Sequence, residues 1–369
     1  MVVRVGVEAV LVVSVAAPVV VVVRVVVGSI NNNIFMLKIE IKKSILIIIG
    51  ACIFIAIGFF IGEVIEVQKN NAVVATEKET ELRISGYKYV NPLLECNIQS
   101  YLTEPTSAKF AKMKDDIIAR KEAANLKTVS VYFRDLNNGP WLGLDEKELF
   151  TPASLLKVPL MIALFKQRET NPVLFSSKII YHKQTVLPQD IDGNYSFVDG
   201  KEYTVLELIK IMITYSNNEA TQLLLGKIDQ GVLKKVYDDF ALPIPGQEKN
   251  NEDFMSVKQY AAFFRILYNG SYLSPAASEE ALAILSKSTF NEGIVAGLPA
   301  EVNVVHKFGE RKYMLDGKET NQLHDCGIVY AKNHNYIMCI MTRGYDFEIM
   351  KTTIRDISKI IYDSFVDGK

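Results

Sequence analysis

The chain has 369 residues, of which 49% are hydrophobic and 22% charged, so a sizeable core can form and wholesale disorder is excluded. Its formal net charge of -1 argues against a protein that coats nucleic acid, and we expect no nucleic-acid partner. The cysteines and histidines show no zinc or haem spacing, so we expect no metal and no cofactor; they are Cys52, Cys96, Cys326, Cys339, His182, His306, His324 and His334.

Residues 1–35 form a valine-rich, low-complexity leader, which we interpret as a mispredicted extension ahead of a true start at Met36. Residues 45–62 then form an apolar run of 18 residues, about the minimum for crossing the hydrocarbon core of a membrane. Charges flank this run, with Lys38, Lys42 and Lys43 before it and Glu63 and Glu66 after it. We therefore predict a single membrane anchor over residues 36–66, with everything after it outside the cytoplasm.

Two alternatives to the anchor stay open, namely a lipoprotein cleavage box at Ile49–Cys52 and a cleaved signal peptide. The anchor is favoured because the apolar run continues past Cys52 and no A-x-A-like cleavage site follows it. Residues 67–104 are polar and irregular, which predicts a linker or stalk, although Tyr89–Cys96 is apolar enough to dock on the domain that follows.

The pattern over residues 105–369 predicts one domain with strands near both ends of its sequence. Helical spacing over Ala108–Ala124 precedes two strands, Thr128–Asp135 and Trp141–Asp145, which a turn connects. A mainly helical stretch follows, with helices over Ala153–Lys166, Val205–Thr214, Asn218–Ile228, Val232–Phe240, Val257–Tyr268 and Ala277–Lys287. Three strands and a last helix come next: Val302–Phe308, Gly327–Ala331, Tyr336–Thr342 and Phe347–Phe365. This order predicts an α+β fold, in which a five-stranded antiparallel sheet is flanked by helices and accompanied by an all-helical subdomain.

A serine and a lysine three residues apart open the first of the central helices. Residues at this spacing share one face of a helix, so Lys157 can reach the hydroxyl of Ser154 and help to remove its proton. The amino terminus of a helix also favours the negative charge of an oxyanion. Ser85–Lys88 matches the same S-x-x-K spacing in the linker, so this pattern alone has little specificity.

Two further motifs follow in order along the chain. Ser216–Asn218 lies between two helices as S-x-N, and Lys307–Gly309 ends a strand as K-x-G. The order S-x-x-K, S-x-N, K-x-G resembles that of class A β-lactamases and penicillin-binding proteins. The context is similar as well, since S-N-N-E-A-T-Q-L-L-L resembles the family's S-D-N-x-A-A-N-x-L-L. The resemblance covers roughly residues 105–365 and implies a class A β-lactamase-like fold with an acyl-enzyme mechanism.

The chemistry of this superfamily implies a role for each residue of the first two motifs. Ser154 is the expected nucleophile, and Lys157 is its proton acceptor or electrostatic activator. Ser216 is expected to pass the proton to the leaving nitrogen with help from Lys307. Asn218 is expected to orient the substrate or Lys157 by hydrogen bonds.

The third motif and its neighbours are expected to bind the substrate. Lys307 would attract the substrate carboxylate, and Gly309 would let the strand backbone approach the ligand closely. The resemblance further implies that the backbone N–H groups of Ser154 and Glu310 form the oxyanion hole. Tyr215, beside the S-x-N motif, either stacks on a ligand at the cleft mouth or packs at the end of its helix.

Two departures from the family pattern bear on the reaction. Phe308 replaces the threonine of K-T-G, so a hydroxyl that would bind the substrate carboxylate is missing, and Arg343 is the candidate replacement anchor. Residues 241–255, which match the Ω-loop, contain no E-x-x-x-N element to activate the deacylating water. The acidic residues that could substitute are Glu248, Glu252 and Asp253. A missing general base costs about 10²–10⁴-fold, so we expect rapid acylation of Ser154 and slow deacylation.

Cysteines and histidines elsewhere in the domain are interpreted mainly as structural. Cys326 and Cys339 lie in predicted strands and are expected to be small core residues. A disulfide can form outside the cytoplasm, and Cys96 with Cys326 is the pair that we favour. His306 and His324 are expected to be edge or core histidines, since the lysine of S-x-x-K already supplies a base.

Together these features predict a monomeric, membrane-anchored serine hydrolase that opens β-lactam amides outside the cytoplasm. A D,D-peptidase or esterase acting on cell-wall peptides that end in D-Ala is the alternative that the missing loop glutamate and Phe308 favour. A β-lactam-binding domain that is acylated without turnover is a third interpretation, which is disfavoured because residues 1–44 are too few for a cytoplasmic signalling domain. The glutaminase branch of the fold is disfavoured by the predicted anchor.

Overall fold

The computed structural model describes residues 86–95, 108–137, 139–183, 195–243, 252–315 and 317–368, together with a few short strands nearer the amino terminus. The predicted membrane span, Glu248 and Cys96 lie outside the described residues. No helix within these ranges combines the length and the apolar character that crossing a membrane requires. The chain forms two compact units, Met1–Glu79 and Thr80–Lys369.

The described residues of the first unit form short antiparallel strand pairs, and another such pair lies at the start of the second unit. In the first unit, Gly6–Ala9 pairs with Val23–Val26, and Val20–Val21 pairs with Ile39–Glu40. Parts of the valine-rich leader are therefore strands in the structure. At the start of the second unit, Leu82–Arg83 pairs with Leu93–Glu95.

The remaining elements of the second unit are labelled here in chain order. The strands are β1 (Thr128–Asp135), β2 (Trp141–Leu144), β3 (Lys178–Ile180), β4 (Glu202–Thr204), β5 (Asn303–Leu315), β6 (Lys318–Ala331) and β7 (His334–Gly344). The helices are α1 (Ala108–Ala123), α2 (Lys157–Thr170), α3 (Val205–Thr214), α4 (Asn218–Leu225), α5 (Gln230–Asp239), α6 (Val257–Asn269), α7 (Pro275–Leu285) and α8 (Phe347–Tyr362).

The five strands β5-β6-β7-β1-β2 form one antiparallel sheet in that order, which confirms the predicted α+β architecture. Helices α1 and α8 pack with one face of the sheet, and α6 packs with the other face. Alternation along β5 sends Val304 and Phe308 into the core on the α8 side and Val305 into the core on the α6 side. β5 is an edge strand, so only one of its sides pairs with another strand of this sheet. The turn that precedes α2 contacts β5.

Side-chain caps explain where the helices of the subdomain begin. Thr204 and Glu207 form a capping box at the start of α3, and Ser256 and Gln259 form another at the start of α6. Asn217 accepts a hydrogen bond from the first turn of α4. The S-x-N motif is therefore fixed at a helix start by one of its own residues.

The hairpin of β5 and β6 is longer than its sequence predicts. The strand predicted to end at Phe308 continues to Leu315, and its partner begins at Lys318, well before the predicted Gly327. Gly317 lies in the connecting turn at φ +73°, a left-handed conformation that favours glycine. Backbone pairing between the two strands extends over this whole length, although the outer part of the hairpin is polar.

The pairing of the cysteines differs from the prediction. Cys326 and Cys339 are fully buried and bonded to each other, so the predicted pairing of Cys96 with Cys326 is wrong. The two residues oppose each other in β6 and β7, with their Cα atoms 3.9 Å apart. Their burial confirms that they belong to the core. Lys307 on β5 opposes Cys326, so the disulfide lies beside the strand that carries the third motif.

Part of the predicted linker docks on the domain. The backbone N–H groups of Lys88, Tyr89 and Val90 all donate to the carboxylate of Glu279 on α7, at 2.9–3.0 Å. The hydroxyl of Tyr330 in turn donates to the backbone carbonyl of Tyr89 at 2.8 Å. Tyr89 and Val90 are buried, so this segment packs as part of the domain surface.

Candidate active site

The candidate nucleophile lies in a tight turn against the edge of the sheet. Ser154 belongs to the 3₁₀ turn Ala153–Leu156, so the helix predicted from Ala153 onward begins with this turn and continues as α2. Ala153 has φ +49°, a left-handed conformation that costs about 1–3 kcal/mol for a residue other than glycine. Backbone strain of this kind beside a half-buried serine is typical of functional sites.

Lys157 makes the contacts expected of a proton acceptor for Ser154. Its Nζ lies 2.8 Å from Ser154 Oγ and 2.9 Å from Asn218 Oδ1, and it also donates to the backbone carbonyl of Ser216. The carbonyl and amide oxygens only accept hydrogen bonds, so they take the two hydrogens of a neutral amine. The nitrogen lone pair is then left for the Oγ–H of Ser154. The structure thus brings these predicted residues together.

Burial lowers the pKa of Lys157 to about 7 from its ordinary value of 10.5, because desolvation penalises the ammonium form. The negative charge of Glu310 acts in the opposite direction and raises this pKa. A large neutral fraction of Lys157 is therefore present near pH 7, as a general base requires. Sequence reasoning assigned Glu310 only a backbone role and missed this influence of its carboxylate.

Ser216 bridges the two lysines of the site. Its Oγ lies 3.1 Å from Lys157 Nζ and 2.8 Å from Lys307 Nζ. Burial, and then the nearby charge of Lys157, hold the pKa of Lys307 well below its usual range. Lys307 is fully buried and its Nζ contacts Ser216, so it is not an exposed anchor for a carboxylate.

The S-x-N motif occupies the turn between α3 and α4. Ser216 has φ +53°, so it is a second strained residue of the site. Tyr215 ends α3 and lies against Tyr195, with ring centroids 5.4 Å apart at 36°. The structure shows Tyr215 packed at the helix end, and its stacking on a ligand stays a prediction. Asn218 opens α4, from where its Oδ1 reaches Lys157.

Gly309 allows β5 to approach the nucleophile turn. A Cβ at this position would lie 2.8 Å from the carbonyl oxygen of Pro152 and 3.2 Å from the backbone nitrogen of Leu155. The close approach that was predicted towards a ligand is thus an approach to the turn that carries Ser154. It also places the next residue of β5, Glu310, beside that turn.

Arg343 does not join this group of residues. Its guanidinium donates to Glu148 at 3.0 Å and to Asp253 at 2.8 Å, and only 13% of its side chain is exposed. Its register position lies four residues along the sheet from that of Lys307, or about 13 Å. The expectation that Arg343 replaces the missing hydroxyl as a substrate anchor is not supported.

The two described carboxylates of the short loop also have other partners. Glu252 pairs with Arg311, and Asp253 accepts hydrogen bonds from Gln322 and from Arg343. Within the part of the chain that the structure describes, neither contacts the nucleophile or its lysine. Neither therefore stands where a base for the deacylating water is needed.

Phe308 and the two neighbouring histidines are core residues. The Phe308 ring stacks on Phe290 with centroids 4.4 Å apart, so it packs on the α8 side of the sheet. His306 Nδ1 lies 2.8 Å from Asp325 Oδ1, and both side chains are buried. Burial lowers the pKa of His324 to about 4, so it is neutral at physiological pH. The expectation that both histidines are structural is confirmed.

A cavity of about 420 Å³ opens beside Ser154 and Lys157. Apolar side chains line most of it, and they are Leu156, Leu160, Leu225, Leu233 and Tyr237. The polar lining beyond the motif residues consists of Thr221 and Gln230. None of the lining residues from α4 and α5 was predicted except Asn218, although the ones on α5 recur at helical spacing and share one face.

The model of the Beta-lactamase enzyme family matches residues 111–365. The chain belongs to this family. The match covers the sheet, the helical subdomain and all three motifs, as the resemblance in the sequence implied. A comparison with curated proteins finds no match.

Solved structures of the β-lactamase family share the fold. A variant of PBP-A in its acyl-enzyme complex with penicillin G is 22% identical, with a TM-score of 0.59 and coverage of 70% of this chain and 97% of that one. A β-lactamase from Sphaerobacter thermophilus is 20% identical, with a TM-score of 0.57 and coverage of 69% and 97%. A class A β-lactamase from Mycobacterium abscessus is also 20% identical, with a TM-score of 0.59 and coverage of 69% and 99%.

Proposed function

We propose that this protein is a serine hydrolase that opens β-lactam amides through an acyl-enzyme on Ser154. The observation that carries the proposal is the 2.8 Å contact between Ser154 Oγ and a lysine nitrogen whose pKa is lowered to about 7. Neutral Lys157 takes the proton while Oγ forms a bond to the amide carbonyl carbon. The backbone N–H groups of Ser154 and Glu310 stabilise the resulting oxyanion.

The proton then reaches the leaving nitrogen through Ser216. Protonated Lys157 passes a proton to Ser216 Oγ, which gives up its own proton to the amide nitrogen as the C–N bond breaks. The contacts of 3.1 Å and 2.8 Å to the two lysines support this relay, because Nζ of each lysine can donate a hydrogen bond to Ser216 Oγ as it loses its proton. The acyl group remains on Ser154.

Deacylation is slow in this proposal. Glu252 is ion-paired with Arg311 and Asp253 with Arg343, which supports the absence of a loop carboxylate poised for water activation among the described residues. Neutral Lys157 is then the base available to the attacking water. Loss of a dedicated base typically slows a step by about 10²–10⁴-fold.

A D,D-peptidase or esterase that acts on cell-wall peptides ending in D-Ala is the second candidate. The same ion-paired carboxylates favour it, since such an enzyme can react with β-lactams without rapid turnover. If the acyl-enzyme did not deacylate at all, the protein would be a β-lactam-binding domain without turnover. The size of the deacylation rate, and not that of acylation, separates these candidates.

We also propose that residues 45–62 anchor the protein in a membrane, with the catalytic unit outside the cytoplasm. The apolar run and the lysines ahead of it support this arrangement. Full-length protein should sediment with membranes and resist extraction by high salt, whereas a chain that starts after Glu66 should remain in the supernatant. Sedimentation of both forms alike would contradict the anchor.

The decisive experiment is intact-protein mass spectrometry during reaction with a chromogenic cephalosporin. Wild type and Ser154→Ala are compared, with Ser271→Ala in an exposed turn as the matched control. We expect one covalent adduct and a burst of about one equivalent of product for wild type and for the control, followed by a slow steady state. Ser154→Ala should show neither.

The outcomes separate the candidate functions. A long-lived adduct, with release of D-Ala from a peptide substrate, favours the peptidase. Fast linear turnover without a burst favours an efficient β-lactamase and contradicts slow deacylation. Activity retained by Ser154→Ala would falsify the mechanism.

A further inference from the structure

A second cavity, of about 310 Å³, opens between α6 and the part of the sheet formed by β1 and β7. Tyr132 and Ile337 lie among its apolar lining. Its charged lining consists of Arg134 from β1 and of Lys258 and Arg265 from α6. β7 and β1 lie two and three strands away from β5, so the cavity is about 10–14 Å from the edge that holds Lys307, and it shares no lining residue with the cavity beside Ser154.

The cations of this cavity have no counter-ions among the described residues. Arg134 and Arg265 make neither an ion pair nor a side-chain hydrogen bond with that part of the chain. The other arginines from residue 108 onward all pair with carboxylates, and they are Arg120, Arg168, Arg311, Arg343 and Arg355. The two arginines that lack a carboxylate partner among the described residues thus line the same cavity, although the net charge of the chain is only -1.

The ammonium group of Lys258 is positioned by an aromatic ring and not by a carboxylate of the described residues. Its Nζ lies 4.2 Å from the centroid of the Trp141 ring, and Trp141 is itself stacked on Tyr132 with centroids 5.8 Å apart. A cation–π contact fixes the direction of the ammonium but leaves its positive charge available. Like charges around one cavity repel each other unless an anion lies between them.

We propose that this cavity binds a multivalent anion of the phosphate class. Guanidinium groups present a planar set of donors that fits phosphate oxygens in pairs, and an ammonium adds a third point of charge. Arg134 on the strand and Arg265 on the helix supply the donors, while Lys258 closes the site at the Trp141 side. The group bound is either free phosphate or pyrophosphate, or a phosphate carried by a longer polymer.

Isothermal titration of the full-length protein with pyrophosphate tests the proposal. Wild type should bind saturably, and the affinity should fall as KCl is raised. The double variant Arg134→Gln/Arg265→Gln should bind at least about tenfold more weakly. Lys258→Gln, at an exposed position, provides an independent variant with a smaller loss. Lys227→Gln/Lys287→Gln, which removes two exposed lysines elsewhere, is the matched control and should bind like wild type.

Two further measurements separate the sources of the anion and the two sites. Tighter binding of polyphosphate than of pyrophosphate, at equal phosphate concentration, indicates a polymer-borne group, whereas equal affinity indicates the free anion. All variants should keep the wild-type melting temperature and the wild-type rate of Ser154 acylation by a fluorescent penicillin. Absence of saturable binding, or undiminished binding in the double variant, overturns the proposal, and binding that is lost on acylation of Ser154 would place the anion in the active site instead.

Discussion

Basic side chains at two places on the sheet have opposite surroundings. At β5, Lys157 and Lys307 are buried among hydroxyl, amide and carbonyl oxygens, and burial lowers the pKa of both. At the far end of β7, Arg343 is held between the carboxylates of Glu148 and Asp253. In the first region the lysines can exchange a proton with their neighbours. In the second region the arginine is held by two ion pairs and has a structural role.

The contrast shows what distinguishes a catalytic cation from a structural one in this fold. A carboxylate partner favours the charged form of a lysine, and an arginine keeps its charge with or without such a partner. Neutral acceptors make hydrogen bonds to the N–H groups of a lysine but do not offset the desolvation of its charged form. The pKa of the lysine therefore falls, and it can lose a proton. The predictions that follow test this contrast.

Lys157→Met should have the largest effect. It removes the proton acceptor of Ser154 while keeping the length of the side chain, so acylation by a fluorescent penicillin should slow by about 10²–10⁴-fold. Lys166→Met, later on the same helix, removes a lysine that is paired with Glu169 and should react like wild type. Stopped-flow fluorescence measures both rates, and equal rates in the two variants would show that Lys157 is not the base.

Gly309→Ala should come next. The added Cβ would lie 2.8 Å from the carbonyl oxygen of Pro152, so β5 must move away from the nucleophile turn. A displacement of about 1 Å can slow a reaction by about 10²-fold, and we expect a loss of that order in the acylation rate. Gly226→Ala, whose nearest neighbour would be 3.5 Å away, is the control and should leave the rate unchanged.

Arg343→Met should affect folding and spare the chemistry. Its partners are partly exposed, so we expect a loss of about 1–3 kcal/mol in the free energy of unfolding and an acylation rate close to that of wild type. Urea denaturation measures the first quantity, with Arg355→Met at an exposed ion pair as control. A large loss of acylation in a folded Arg343→Met protein would instead return this arginine to the active site.

Glu310→Gln should produce the smallest effect, a shift of the pH profile. The charge of Glu310 raises the pKa of Lys157, so its removal lowers that pKa further. Acylation requires neutral Lys157 and therefore increases as the pH rises through about 7. In the variant this increase should occur at lower pH, with the plateau rate retained. An unchanged profile, with Glu348→Gln as the remote control, would show that another group sets the pH dependence.

Local signals explain which parts of the structure could be predicted from the sequence. The predicted strand Thr128–Asp135 and the predicted helix Val205–Thr214 have the bounds that the structure shows. Ser154 and Lys157 lie one helical turn apart, so their contact is also local. By contrast, the outer part of the hairpin was missed because its polar sequence resembles a loop and only its pairing makes it a strand.

Contacts between distant segments explain the errors. Nothing near Arg343 in the sequence indicates that Asp253 folds onto it, so the sequence alone assigns its charge no partner. The disulfide could have been found, because Cys326 and Cys339 are equally far from the turn between their strands and therefore oppose each other in an antiparallel hairpin.

The docking of Lys88–Val90 on Glu279 shortens the part of the predicted linker that remains free. If residues 45–62 span a membrane, only residues 67–87 connect the bilayer to the docked segment, and fully extended they measure at most about 70 Å. The whole predicted linker, residues 67–104, could extend almost twice as far. Under the proposed anchoring, the carboxylate that accepts these three backbone N–H groups would hold the catalytic unit within that distance of the membrane, and substrates farther away would have to diffuse to it.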